Sequence, residues 1–415
     1  MVGALAAANG LGYLLNLVAS RRLGPEGYGA LAALLGVILV GNVLALALQA
    51  VVARRTVVAR GPGSTSEVAG WTLRLTLGCA VVATAIGLTA ALPLTHLLHL
   101  SSAVPALLLG VTLGPLTMVG GQLGVLQGAE RFHALAALYL LAGVGKVGGG
   151  VVGVLVADSV TGGMAGTAVG AALSAAAGAE LVRRAHPQHA ASARSSFPSG
   201  LTRETARATY SIGALFALAN LDVVLARHFL APRQAGLYAV GAVLAKGAFW
   251  FTSFVPVMAL PGLSDPSRRR RTAALSLGTV VTAGGLVTLG AALFGDLVVR
   301  LVGGAAYASL ADRAWLFGAV GSLLAIVQLL IYSRLAGDDR RVALPTWLAV
   351  VAEVTVVCLW RHDSITAIVT TVLGAAAVVV VLGALAEAHE HGFLRSRDPD
   401  RSVRPTTGDH AREKG

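Results

Sequence analysis

The chain alternates between long apolar runs and short polar or Gly/Pro-rich breaks. Twelve runs stand out, at 2–20, 28–50, 74–95, 104–126, 134–157, 161–182, 208–230, 235–258, 273–294, 313–334, 343–360 and 364–386. A bilayer core about 30 Å thick takes roughly 20 helical residues to cross. Inside it every backbone N–H and C=O must be paired within the segment, which selects helices. The pattern therefore predicts an all-α integral membrane protein with about twelve transmembrane helices. The first run lacks a basic leading region and spans follow it, so it does not read as a cleaved signal peptide. No polar residue precedes it, as expected of a start that has been trimmed or placed late.

Composition agrees. The 415 residues are 55% hydrophobic and 13% charged, with a mean hydropathy of +0.75. Soluble domains carry roughly 25% charge, so an ordinary cytosolic enzyme is excluded. The formal charge is +12. In a soluble protein this would suggest nucleic acid; in an apolar chain it suggests basic loops on one membrane face, with no nucleic-acid partner. With the N-terminus inside, 23 basic residues fall in inside loops and the tail, against 7 in outside loops. This bias fits both termini in the cytoplasm, in a multi-pass protein. Arg268 to Arg271 then read as a topology anchor beside membrane lipids. Cys79 and Cys358 lie in apolar runs and imply no disulfide framework. Residues 387–415 are polar, carry Pro399 and Pro405, and are expected to be a disordered cytoplasmic tail.

The halves resemble each other. Arg22-Leu23-Gly24-Pro25-Glu26-Gly27-Tyr28-Gly29 follows the first run, and Phe229-Leu230-Ala231-Pro232-Arg233-Gln234-Ala235-Gly236-Leu237-Tyr238 follows the seventh. Leu126-Gln127-Gly128-Ala129-Glu130-Arg131 follows the fourth, and Leu335-Ala336-Gly337-Asp338-Asp339-Arg340 the tenth. The two matches lie 207 and 209 residues apart. A six-span repeat is even, so both copies enter the membrane in one orientation. That is the parallel-repeat plan of transporters whose substrate path runs between the halves. The expected domains are an N-terminal lobe at 1–184, a cytoplasmic linker at 185–206, a C-terminal lobe at 207–386 and the tail.

Three segments carry a family resemblance: the turn Arg21-Arg22-Leu23-Gly24-Pro25-Glu26-Gly27-Tyr28-Gly29, the stretch Leu126-Gln127-Gly128-Ala129-Glu130-Arg131-Phe132, and Leu221-Asp222-Val223-Val224-Leu225-Ala226-Arg227-His228-Phe229-Leu230 running into Gly236-Leu237-Tyr238. Together they resemble bacterial polysaccharide-biosynthesis flippases of the multidrug/oligosaccharidyl-lipid/polysaccharide exporter superfamily. The resemblance spans residues 1–386. It implies a translocase for undecaprenyl-pyrophosphate-linked oligosaccharides in a bacterial cytoplasmic membrane. Its two six-helix lobes would enclose a central cavity and work by alternating access. The partners implied are a lipid-linked glycan, a glycan polymerase and glycosyltransferases.

Charges inside a bilayer are costly and usually face a cavity or a partner. Lys146 and Lys246 fall in the fifth and eighth runs, Asp222 in the seventh, Glu353 in the eleventh, and Arg227 near the outer end of the seventh. Lysines lining a cavity can replace water around a pyrophosphate. Asp222 can pair with a lysine or take part in ion coupling; the alternative for the set is a structural ion pair. Asn9, Tyr13 and Asn16 share one face of the first helix, and Asn42 and Gln49 one face of the second. Such faces either line a sugar path or bridge helices. Gly145, Gly149 and Gly153, and the ridge Gly162, Gly166, Gly170, Ser174 and Gly178, read as packing surfaces. Pro115, Pro256 and Pro261 are expected to interrupt or end helices.

No phosphate-binding loop of the Gly-Lys-Ser/Thr type is present, so the chain itself does not hydrolyse ATP. The ten histidines suggest no metal cluster, and no cofactor is expected. A cation-coupled drug or small-molecule antiporter of the same superfamily is the nearest rival, with Asp222 or Glu353 as the coupling group. A membrane-embedded glycan polymerase or ligase is the rival from another class. The short outer loops, of which 295–312 is the longest, disfavour it, so the expectation is that the chain is not an enzyme.

Overall fold

A computed structural model describes residues 2–58, 64–185, 200–252, 269–335 and 343–396. Among them there are helices and no strands. The N-terminal half comprises α1 (Val2–Gly41), α2 (Val43–Val58), α3 (Ser64–Thr89), α4 (Ala91–Leu97), α5 (Val104–Gly128), α6 (Phe132–Ala157) and α7 (Val160–Ala185). The C-terminal half comprises α8 (Leu201–Leu218), α9 (Leu221–Phe229), α10 (Pro232–Thr252), α11 (Arg269–Leu293), α12 (Gly295–Val302), a 3-10 segment (Ala305–Arg313), α13 (Ala314–Leu335), α14 (Ala343–Leu359) and α15 (Ile365–Ser396).

Nine helical stretches are long and apolar enough to cross a membrane, and the bent pair α8–α9 makes a tenth. The count reaches twelve for two physical reasons. The first apolar stretch runs over Gly12–Val58, 47 residues, with only the turn residue Asn42 outside its helices. At 1.5 Å per residue that is about 70 Å, twice a bilayer core. Gly24 divides it with φ +63° and ψ 179°, a conformation natural to glycine, and Pro25 then opens the second segment. The other reason is α14, shorter than the rest but apolar over its 17 residues. Pro115 does not interrupt α5 as the sequence suggested; it lies inside a continuous helix. Pro256 and Pro261 lie outside the described residues. The last helix continues to Ser396 through polar sequence, and residues 397–415, like 186–199 of the linker, lie outside the described set.

Each half forms a six-span lobe. Each third span is followed by a short helix lying beyond it: α4 after α3, and α12 after α11. The lobes meet through α1 against α9 and α10, and through α2 against α8. The tightest packing within a lobe is α6 on α7. A Cβ on Gly149, Gly153, Gly166 or Gly170 would strike the backbone of the facing helix. The glycine ridges thus let two backbones touch. The core under both turns is aromatic: Tyr28, Tyr238, Tyr307 and Phe317 are all at most 1% exposed.

Candidate functional site

The seventh span is broken. α8 ends at Leu218, α9 begins at Leu221, and their axes differ by 46°. At the break, Asn220 Nδ2 donates to the Phe216 carbonyl at 2.8 Å and so satisfies an acceptor freed by the interruption. Asp222 sits in the first turn of α9, where the helix N-terminus favours negative charge. Tyr238, on α10, donates its hydroxyl to Asp222 Oδ2 at 2.9 Å. The Tyr238 ring is held edge-on by Phe317, centroids 5.2 Å apart. Glu353, on α14, is 1% exposed and lies within electrostatic reach of Asp222 and Tyr238.

The cluster is short of partners. Asp222 Oδ1, Asn220 Oδ1 and both carboxylate oxygens of Glu353 are buried with no hydrogen-bond partner. Two acids so placed need a positive companion, a proton or a bound cation, to occupy an apolar interior. Lys246 is half-buried two turns along α10 from Tyr238 and within electrostatic reach of Asp222. Among the described residues no three His, Cys, Asp or Glu side chains converge as metal ligands.

Lys146 belongs to the other lobe. It is half-buried on α6, one turn before Gly150, whose open side meets Leu15 of α1. α1 also packs on α10, where a Cβ on Gly247, beside Lys246, would lie 3.7 Å from the Tyr13 hydroxyl. The first span therefore stands between the two lysine-bearing helices. The Tyr13 hydroxyl is buried without a partner, and its ring lines a cavity of about 500 Å³ with Val243, Gly247, Ala291, Phe294 and Gly318.

The remaining sequence candidates have assorted surroundings. Asn16 donates to the Gly12 carbonyl at 2.9 Å and accepts from the Tyr28 hydroxyl at 2.9 Å. Gln49 donates to Gln127 Oε1 at 2.9 Å and to the Tyr139 hydroxyl at 2.5 Å, joining α2 to α5 and α6. Asn42 occupies the one-residue break between α1 and α2. Arg227 is buried near the end of α9 and donates to the Leu98 carbonyl at 3.0 Å. The side chain of Asn9 lies outside those described.

No protein-family profile matches the chain. No curated protein sequence matches it either. Solved structures do. An inward-facing multidrug-resistance MATE family transporter of the MOP superfamily superposes with a TM-score of 0.71 at 14% identity, over 93% of this chain and 95% of that one. Lipid II flippase MurJ, in an inward closed conformation, gives 0.70 at 10% identity, over 93% and 86%. A MOP superfamily transporter from Pyrococcus furiosus Vc1, described by a reversed polarity of its binding pocket, gives 0.59 at 15% identity, over 94% of both chains. The chain has the MATE/MOP transporter fold. This is the multi-pass, two-lobed, twelve-span architecture that the runs and the repeat predict.

Within this fold the sequence reading missed three residues. Tyr238 and Tyr28 were legible as parts of the turn motifs but not as partners of Asp222 and Asn16. Glu204, on α8, pairs with Arg55 of α2 at 2.7 Å and with Arg54 at 3.5 Å, tying the lobes at the linker end. An acid flanked by Arg203 and Arg207 at the start of an apolar run was the available signal.

Proposed function

We propose that this protein is a MOP-superfamily transporter that flips an anionic, lipid-linked oligosaccharide of the undecaprenyl-pyrophosphate type across a bacterial cytoplasmic membrane. The observation that carries the reading is a half-buried lysine on each lobe, Lys146 and Lys246, on helices that flank the first span. A pyrophosphate passing between the lobes exchanges water for cations at mid-depth, where charge is otherwise expensive. The turn motifs and the MurJ-like fold support the same reading. So does the sided distribution of arginines, which fits both termini in the cytoplasm. The Asp222–Glu353 cluster supplies a place for a coupling proton or cation. A glycan polymerase or glycosyltransferases would meet the protein at the membrane.

One observation favours a second reading. Among the described residues, the charged groups with buried atoms lacking a hydrogen-bond partner are the acids Asp222 and Glu353, which suits a cation-coupled antiporter for cationic small molecules. Proteoliposomes separate the two. Vesicles holding the purified protein and a fluorescent undecaprenyl-pyrophosphate oligosaccharide are treated with a membrane-impermeant quencher. Rapid quenching of more than the outer-leaflet half, abolished in Lys146→Gln/Lys246→Gln at equal protein levels, supports flipping. A fully protected inner leaflet, with gradient-driven uptake of a cationic dye, selects the antiporter.

A further inference from the structure

At the end of the molecule opposite the linker, each lobe seizes the other by the same device. The first span of the N-terminal lobe ends at Ser20 and Arg21. Ser20 Oγ donates to the Val302 carbonyl at 3.1 Å, and Arg21 Nη2 donates to the Leu301 carbonyl at 2.8 Å. Leu301 and Val302 are the last residues of α12, in the C-terminal lobe. Tyr307 closes this contact from the far side by donating to the Ser20 carbonyl at 3.2 Å.

The reciprocal contact lies 207 residues on, where Arg227 and His228 stand in place of Ser20 and Arg21. Arg227 Nε donates to the Leu98 carbonyl at 3.0 Å, and His228 Nδ1 lies 2.8 Å from the Leu97 carbonyl. Leu97 ends α4 and Leu98 is its C-cap, in the N-terminal lobe. Arg227 Nη1 also reaches the Glu26 carbonyl at 3.4 Å, and the His228 ring stacks on His99 with centroids 5.4 Å apart.

Both contacts follow one physical rule. The last carbonyls of a helix have no partner inside it and form the negative end of its dipole. A hydroxyl or cation from another element satisfies them. Here the element always comes from the opposite lobe, so the bonds persist only while the lobes are closed at this end. Each lobe supplies one basic span end and one short helix. The duplication has therefore produced two copies of one lock, related by the repeat.

We propose that these two contacts form a single gate, a reciprocal latch that holds this end of the transporter shut and must release at both places for it to open. The inference rests on the alternating-access reading above. It assigns Arg21, Arg227 and His228 a conformational role and leaves substrate contact to other residues. Because both contacts join the same two lobes at one end, weakening one latch loosens the other. At the linker end the pair Arg55–Glu204 is the corresponding tie.

The test is a distance measurement on the full chain in lipid nanodiscs, without substrate. Spin labels at Ser101→Cys and Ala231→Cys, in a Cys79→Ser/Cys358→Ser background, straddle the α4–α9 latch; both positions are exposed. Arg21→Gln removes a bond of the other latch, from an exposed side chain whose loss leaves the core intact. The expected result is that Arg21→Gln raises the open-to-closed ratio at the labelled site by at least about fivefold, and that His228→Gln does the same locally. The proposal is overturned if Arg21→Gln leaves the 101–231 distance distribution unchanged in a protein with a normal melting profile. A moving gate in a protein that does not flip the glycan lipid would refute only the substrate reading. Flipping that persists with an unmoved gate would refute only the latch.

Discussion

Gly29 and Gly236 pack backbone against backbone, 207 residues apart in the chain and at equivalent places in the two repeats. A Cβ on Gly29 would lie 2.9 Å from the Gly236 nitrogen, and one on Gly236 would collide with the Pro25 carbonyl. The two turns thus meet where the lobes join, and each needs the other to be bare. We expect Gly236→Ala to lower the melting temperature in detergent more than Gly29→Ala. Overpacking of a tight site costs about 1–3 kcal/mol. Gly12→Ala, which meets nothing within 4 Å, is the control and should melt like the parent. Equal melting of all three would show that the turns do not carry the contact.

Tyr238→Phe removes the hydroxyl that Asp222 accepts. Losing a hydrogen bond to a charged group costs about 1.5–3 kcal/mol. The variant should melt lower and transport more slowly. Tyr28→Phe, which loses only the neutral partner Asn16, should lose roughly half as much stability. Calorimetry on the two variants decides: equal losses would mean that Asp222 is not charged in the resting protein.

Glu353→Gln should separate stability from activity. The carboxylate is buried with neither oxygen bonded, so replacing it with a neutral isostere lifts a desolvation cost. The expected variant melts at the parent temperature or above it, while gradient-driven transport in proteoliposomes falls by at least about tenfold. A strongly destabilised Gln variant would mean that Glu353 is a structural anchor with a partner.

The glycine contact between α6 and α7 is the most demanding packing in the molecule. Gly166→Val should deplete folded protein from membranes, because its Cβ would run into the Gly149 carbonyl. Gly148→Ala, whose Cβ would meet only Val144 of its own helix at 4.0 Å, should accumulate normally. Fluorescence-detected size exclusion of tagged variants reads the difference.

Most of the architecture was visible in the sequence because a bilayer writes its thickness into the chain. Runs such as 343–360 and 104–126 predicted α14 and α5 to within a few residues, and the shared Pro25/Pro232 spacing exposed the repeat. The break at Asn220 was not visible, because Asn220 and Asp222 sit among enough apolar residues for 208–230 to read as one run. Side-chain partners were equally hidden. Asn16 and Gln49 looked alike as polar residues on apolar helices, and only the positions of Tyr28, Gln127 and Tyr139 show them joined to neighbours. Arg227 lay near the end of a run, but the carbonyls it binds are 129 and 201 residues away.

The glycine seam between α6 and α7 also has a mechanical meaning, because the copy of this unit in the other lobe lacks it. In the equivalent helices, α14 and α15, no described glycine would bring a Cβ against a facing backbone, and the broken α8–α9 span lies beside them. One lobe is clamped like a plate and the other is jointed. If the lobes move against each other as proposed, the jointed C-terminal half, where Asp222 and Glu353 sit, is the one built to bend. The bend and the buried acids therefore share one region of the C-terminal half.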